Sequence, residues 1–208
     1  MDTYNSKETG KSLCIYSYNS RGFAQNKQDL CKLLMSTSGN TYPILCNQEN
    51  FLLQSNGYEI KQCLPDAHVI FKPAIKDTHD KGHPKNGMFV AVPAMMKENV
   101  EDVSPNHWRV QAVLVRTSDC AIMIINTYFP TDPKVPDFDS SELMTTMAAI
   151  QELLTRKDFS SVVWTGDINA DFSRKTEFTK CIESFIDDNN FKCAWSQFPV
   201  DHTRAGSE

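Results

Sequence analysis

The stretch Trp164-Thr165-Gly166-Asp167-Ile168-Asn169 sets a carboxylate and a carboxamide two residues apart, where the apolar run Ser161-Val162-Val163-Trp164 stops at a glycine. In extended chain, positions i and i+2 share a face, so both polar groups leave the end of a strand on the same side. A carboxylate so placed is suited to orient or deprotonate a water, and an amide beside it to hydrogen-bond an oxyanion. An Asx turn, in which Asp167 or Asn169 satisfies nearby backbone groups, accounts for the same residues, and this stretch alone leaves both readings open.

Three further apolar runs end in polar groups. Residues 13–18 lead into Asn19-Ser20-Arg21-Gly22, residues 42–46 into Asn47-Gln48-Glu49-Asn50, and a later run passes through Asn126-Thr127-Tyr128-Phe129-Pro130. Each has an ordinary explanation: Asn19 forms a turn, Glu49 is a solvated charge, Tyr128 sits at a core edge. Their recurrence argues otherwise, because α/β sheets gather such strand ends into one crevice.

The elements that must carry these ends follow from periodicity. A helix is expected from about Asn26, with Asp29 three residues on and Leu30, Leu33 and Leu34 facing inward. In the middle third, residues 58–63, 68–71, 88–92, 108–115 and 121–128 have strand composition without intervening helical pattern, which predicts antiparallel pairing. Trp108, Val110, Ala112 and Leu114 give one apolar face, alternating with a mixed face of Arg109, Gln111, Val113 and Val115. A long polar loop spans residues 72–87. Helices return at 139–157, with Asp139 and Glu142 at capping-box spacing and a stripe of Leu143, Met147, Ile150 and Leu154, and at 177–188, with Phe178, Cys181, Ile182 and Phe185 on one side. A last strand-like piece covers 191–195. Two α/β portions around a β-rich centre predict two sheets packed face to face with helices outside.

At 208 residues and 40% apolar, the chain supports one full-sized core. Residues 1–11 read as a polar extension and 12–208 as a single domain. A net charge of -5 means that the whole-molecule field does not draw the chain onto nucleic acid, so any such contact needs a local basic patch. Seven cysteines, an odd number with no C-x-x-C spacing, read as reduced, buried small side chains. No run approaches the ~20 apolar residues of a membrane span. A soluble nuclear or cytoplasmic protein is expected.

Taken in order, Tyr16-Ser17-Tyr18-Asn19-Ser20-Arg21-Gly22, Leu45-Cys46-Asn47-Gln48-Glu49, Asn126-Thr127-Tyr128-Phe129-Pro130 and Thr165-Gly166-Asp167-Ile168-Asn169-Ala170 resemble the endonuclease/exonuclease/phosphatase superfamily, which includes apurinic endonucleases and DNase I. Asn19-Ser20-Arg21-Gly22 and Gly82-His83-Pro84-Lys85-Asn86-Gly87 are most similar to the apurinic-type endonuclease domain of non-LTR (LINE-type) retrotransposons. The resemblance implies a DNase I-like four-layered α/β sandwich and Mg²⁺-dependent phosphodiester hydrolysis, with Mn²⁺ as substitute. DNA would be the partner, nicked to leave a 3′-OH, with a reverse transcriptase domain in the parent polypeptide and no membrane partner. Glu49 fits the metal ligand, since Mg²⁺ takes oxygen ligands and keeps several waters. Asp167 would handle the attacking water, Asn19 and Asn169 would hydrogen-bond water or phosphoryl oxygens, and Tyr128 would donate to the phosphate. Lys85, Arg109 and Arg116 are candidate phosphate contacts.

Departures from the pattern bear on activity. Arg21 stands where many relatives have an acid. The family's late Asp and its Ser-Asp-His segment are not recognisable. Asp201-His202 comes only 34 or 35 positions after Asp167 (201 − 167, 202 − 167), and Thr203 resembles instead a site threonine of an earlier loop in the retrotransposon branch. The expectation is therefore a domain lacking its last strands and catalytic histidine, with an unpaired sheet edge and impaired activity. Whether the chain is an enzyme stays open. The alternatives are a phosphoesterase of the same fold acting on lipid, inositol phosphate or RNA, and a non-catalytic binding module.

Overall fold

Apolar runs too long and too uniformly buried for one-sided strands build the centre of the fold. The structure, a computed structural model, describes residues 12–35, 41–76, 84–132 and 140–194. Its strands are β1 (Ser12–Asn19), β2 (Thr41–Gln48), β3 (Ala67–Lys72), β4 (Met88–Pro93), β5 (Val100–Asp102), β6 (Val110–Arg116), β7 (Ala121–Tyr128) and β8 (Ser161–Asp167). The helices are α1 (Phe23–Met35), α2 (Tyr58–Cys63), α3 (Ser141–Leu154) and α4 (Glu177–Asp188). Two compact units divide the chain, the first Met1–Pro130 with Ser141–Asn169, the second Thr131–Ser140 with Ala170–Glu208. The first holds both sheets and α1 to α3; in the second, α4 is capped by Thr176, whose hydroxyl accepts from the Thr179 N–H.

Each sheet has four strands and mixed pairing, in the orders β1-β2-β4-β3 and β5-β6-β7-β8. The same device occurs twice. β1 and β2 are parallel and joined through α1, β7 and β8 are parallel and joined through α3, and the remaining strands add antiparallel. Between the sheets, Ile44, Cys46, Val90 and Val92 pack against Val113, Val115 and Ile124. On the outer face of the first sheet, Phe23 and Leu30 of α1 and Ile60 and Leu64 cover Leu45, Phe89 and Ala91. Burying each such Leu, Ile or Phe is worth about 1.5–3 kcal/mol, which secures β2 and β4 of the first sheet. The architecture is the α/β sandwich read from the sequence, two mixed sheets with helices outside. Among the described residues β1 and β8 each stand at one edge of their sheet, and no residue of either is fully buried.

Several local expectations are corrected. Residues 58–63 form a helix, α2, not a strand: Ile60 and Leu64, one helical turn apart, both reach the core while Tyr58 is exposed. α1 begins at Phe23, and Asn26 is no cap; its amide reaches back to the Ser20 carbonyl at 2.6 Å. The mixed face of β6 is buried too, because it meets the other sheet: Val113 and Val115 join the inter-sheet core, and Gln111 Nε2 donates to the Ile70 carbonyl at 2.9 Å. In α3 the last core position is Leu153 rather than Leu154. Residues 191–193 are not a strand; Asn190 turns left-handed (φ 56°) and the Phe191 N–H returns to the Ile186 carbonyl at 2.9 Å, which ends α4. The expected cap Asp139 lies outside the described residues. Among the described residues no helix is long and apolar enough to cross a membrane.

A buried layer of amides locks one sheet to the other. Gln48 Nε2 donates to Asn126 Oδ1 at 2.6 Å, and Asn126 Nδ2 donates to the Asn47 carbonyl at 3.1 Å. Asn47 Nδ2 in turn donates to the Tyr18 carbonyl at 2.9 Å. Satisfied amides in a core are directional where apolar contacts are not, so this layer fixes the register in which the strand ends meet.

Candidate active site

Parallel pairing sets the strand ends side by side. Asn19 ends β1 opposite Gln48, and Tyr128 ends β7 opposite Asp167 of β8. The two pairs meet across the sandwich through Asn19 Nδ2, which donates to Asp167 Oδ2 at 2.6 Å. Asp167 Oδ1 accepts the Asn169 backbone N–H at 2.9 Å. One carboxylate oxygen thus closes the Asx turn, and the other joins Asn19 across the sandwich. Asn169 Nδ2 donates to the Phe129 carbonyl at 2.9 Å, and its side chain also hydrogen-bonds Tyr128. The Tyr128 hydroxyl donates to Glu49 Oε1. Asn19, Asp167, Asn169, Tyr128 and Glu49 therefore form one continuous chain of hydrogen bonds.

Strained backbone holds the loops around this chain. Arg21, Glu49, Phe51, Asn86 and Asn169 all have φ between 45° and 64°, a region uncommon for residues with a side chain and costing of order 1–3 kcal/mol each. The loops restrain one another. Gly22 N–H donates to the Glu49 carbonyl at 2.7 Å, Phe23 N–H to that of Asn50 at 3.0 Å, and Phe51 N–H to that of Asn86 at 3.0 Å. Gly166 has φ +129°, and a Cβ there would lie 2.0 Å from the Thr127 carbonyl oxygen, so the turn into Asp167 requires glycine.

Electrostatics set the state of Tyr128. Burial, followed by its hydrogen bond to Glu49 and the Glu49 charge, pushes its pKa well above the usual 10, against smaller opposing effects of Arg109 and Asn169. The phenol stays neutral and able to donate. Arg109 is 8% exposed, with Nε donating to Glu142 at 2.8 Å and a terminal nitrogen donating to the Tyr128 carbonyl at 3.0 Å. Its guanidinium lies 4.0 Å from the Trp108 ring centroid. Beside it, His107 Nδ1 accepts the Arg109 N–H at 3.3 Å. Burial, with Lys72 and Arg109 nearby, holds the pKa of His107 below its usual value, against a weaker pull from Glu142.

Not every expected residue joins the cluster. Arg109 lies at the site end of β6, with its guanidinium paired to Glu142 and to the Tyr128 carbonyl. Arg116 lies at the opposite end of β6, about 23 Å along the strand from Arg109, and pairs with Glu101 and Asp158. Lys85 is exposed, and its backbone pairs with Ile75 just before the Asn86-Gly87 loop that meets Asn50. Thr203, Asp201 and His202 fall outside the described residues.

Other residues support the site without a signal in the sequence. Lys72 Nζ donates to the carbonyls of Pro105, His107 and Val110 at 3.1, 2.7 and 2.6 Å. Asn86 Nδ2 donates to the Trp108 carbonyl, and Glu142 anchors Arg109. Such pairings join residues 22 to 38 apart in sequence, so no local pattern announces them. The signal that was available is Asn126, an amide directly after the apolar run 121–125.

The donor set suits a hard divalent cation. Glu49 offers a carboxylate oxygen and Asn19 an amide oxygen, and no thiol or imidazole belongs to the chain of hydrogen bonds. Among the described residues no group of three or more His, Cys, Asp or Glu could hold a metal by itself.

The fold is shared with DNA-processing proteins. The chain superposes on the AP endonuclease LMAP from Leishmania major with a TM-score of 0.59 at 12% identity, over 85% of this chain and 66% of that one. It superposes on the 3′ phosphatase NExo from Neisseria, bound to a product DNA hairpin, with a TM-score of 0.58 at 16% identity, over 83% and 70%. For D. rerio TDP2 complexed with single strand DNA product the TM-score is 0.52 at 14% identity, over 95% and 74%. The chain thus spans about two thirds to three quarters of these proteins. No protein-family model matches the sequence, and no curated protein does. What these likenesses define is a class of fold, that of the apurinic endonuclease, exonuclease and phosphatase proteins.

Proposed function

We propose that this chain is a divalent-metal-dependent phosphodiesterase acting on DNA, a nicking endonuclease of the retrotransposon type whose parent polypeptide also carries a reverse transcriptase. The observation that supports the hydrolysis is the hydrogen-bonded chain Asn19–Asp167–Asn169–Tyr128–Glu49 at one end of both sheets. The Asn19-Ser20-Arg21-Gly22 and Gly82–Gly87 motifs support the retrotransposon assignment. Asp167 orients the attacking water and takes its proton, held for that task by Asn19 and by the Asn169 N–H. An amide nitrogen carries two hydrogens, and the second on Asn19 is left to donate to a phosphoryl oxygen. Tyr128, kept neutral, gives its one O–H to Glu49 in the free chain and would turn it to the phosphoryl oxygen once Glu49 is taken up by the cation. Glu49 would hold the cation, which when bound offsets charge on the phosphoryl and leaving oxygens. Arg109 and Glu142 keep Tyr128 in register.

The test is to incubate the chain with Mg²⁺ or Mn²⁺ and, separately, supercoiled plasmid, a phosphoinositide and an adenylated RNA. Conversion of plasmid to the open-circular form supports the proposal. Cleavage of lipid or RNA with plasmid intact would assign another substrate. Plasmid retarded in a gel but never cleaved would make the chain a binding module.

A further inference from the structure

Cys31 in α1 and Cys63, the last residue of α2, bring their Sγ atoms to 2.7 Å although 32 residues separate them. The sequence gives no hint of this pairing. Cys31 Sγ also donates to the Cys63 carbonyl at 3.2 Å, and Cys63 Sγ to the Lys27 carbonyl at 3.3 Å. Both thiols are half-buried, and both line an open cleft of about 300 Å³ with Phe23, Lys27, Glu59 and Gln62. Cys46 and Cys120 differ. Cys46 is fully buried, with its pKa pushed up to about 12 by burial, and Cys120 is exposed with Thr117 as its neighbour.

A bridging metal does not suit the separation, since a tetrahedral ion with bonds of ~2.3 Å holds two sulfurs about 3.8 Å apart. A disulfide does: closing to ~2.05 Å takes a movement of about 0.65 Å. We propose that Cys31 and Cys63 are a redox-active dithiol, converted to an intramolecular disulfide by a hydroperoxide that enters the cleft. Cys31 is the first to react, because burial and the Cys31 contact hold Cys63 as a thiol, with its pKa up to about 12. The Cys31 thiolate attacks one peroxide oxygen and the O–O bond breaks. The departing oxygen takes a proton and leaves as water or alcohol, with Cys31 as the sulfenic acid. Cys63 sulfur then attacks Cys31 sulfur, the S–S bond forms, the S–O bond breaks, and the hydroxyl leaves as water with the Cys63 proton. Two thiols lose two electrons and the peroxide is reduced.

The disulfide would tie α1 to α2 and close a span that contains Glu49. α1 starts at Phe23, whose N–H holds the Asn50 carbonyl, so the clamp acts beside the candidate site.

The experiment treats the whole chain with hydrogen peroxide, blocks remaining thiols by alkylation, and maps the digest by mass spectrometry. The expected result is a Cys31–Cys63 cross-linked peptide that dithiothreitol removes, accompanied by a rise in thermal midpoint of about 5–10 °C. In Cys63→Ser, a sulfenic acid trapped by dimedone is expected on Cys31. Cys31 and Cys63 both remaining fully alkylated after treatment that oxidises exposed Cys120 would overturn the proposal, and that readout needs no variant to fold.

Discussion

Gly166→Ala isolates what the turn into Asp167 costs. At φ +129° an alanine carries backbone strain of about 1–3 kcal/mol. Its Cβ would also lie 2.0 Å from the Thr127 carbonyl oxygen and 2.6 Å from the Thr127 nitrogen, both backbone atoms of the neighbouring strand that cannot swing aside. Forcing that contact apart adds about 1–3 kcal/mol, typical of overpacking. The sum, about 2–6 kcal/mol, is a large share of a stability that for domains is about 5–15 kcal/mol. Gly22→Ala is the internal control. Its φ is +113°, but its nearest contact would be Phe51 at 3.7 Å, so it should show the strain without the clash. Urea denaturation followed by tryptophan fluorescence measures both. Gly166→Ala costing no more than Gly22→Ala would refute the claim that strand β7 excludes a side chain there.

Asn126→Leu strands Gln48 and the Asn47 carbonyl inside the sandwich and should cost about 2–5 kcal/mol by denaturation, since each orphaned buried group costs about 1–3 kcal/mol. Arg109→Met removes the donor to the Tyr128 carbonyl and should destabilise by about 1–3 kcal/mol; a phosphate-binding role alone would leave stability unchanged. His107, with its pKa lowered by burial and by Lys72 and Arg109 despite Glu142, takes up a proton more readily unfolded than folded. Its contribution is complete above pH 6.5, the ordinary histidine value, and falls as pH drops from there through the lowered value. Stability measured between pH 7.5 and 5 should therefore decline less steeply in His107→Gln.

That Asn19, Glu49, Tyr128, Asp167 and Asn169 come together as a candidate site was legible because they stand where apolar runs close, and polar groups there are conspicuous against a buried strand. The sandwich followed from the same runs, since strands buried on both faces need a layer on each side. Residues 58–63 misled because Tyr, Ile and Cys favour strands, whereas the helix there is decided by Ile60 and Leu64 reaching one core together. Arg109 and Arg116 look alike in sequence, and only their partners, Glu142 for one and Glu101 with Asp158 for the other, separate them. The Cys31–Cys63 pair, the Lys72 contacts and the left-handed Glu49 arise from tertiary packing, so no local pattern carries them.

The most direct measurement is the rate of plasmid nicking against Mg²⁺ concentration for the wild-type chain, Glu49→Ala and Asp167→Asn. If Glu49 holds the cation and Asp167 handles the water, Glu49→Ala shifts the Mg²⁺ dependence to higher concentration. Asp167→Asn lowers the plateau by about 10²–10⁴-fold at an unshifted midpoint. Wild-type nicking that is independent of Mg²⁺, or unchanged curves in both variants, would contradict the account.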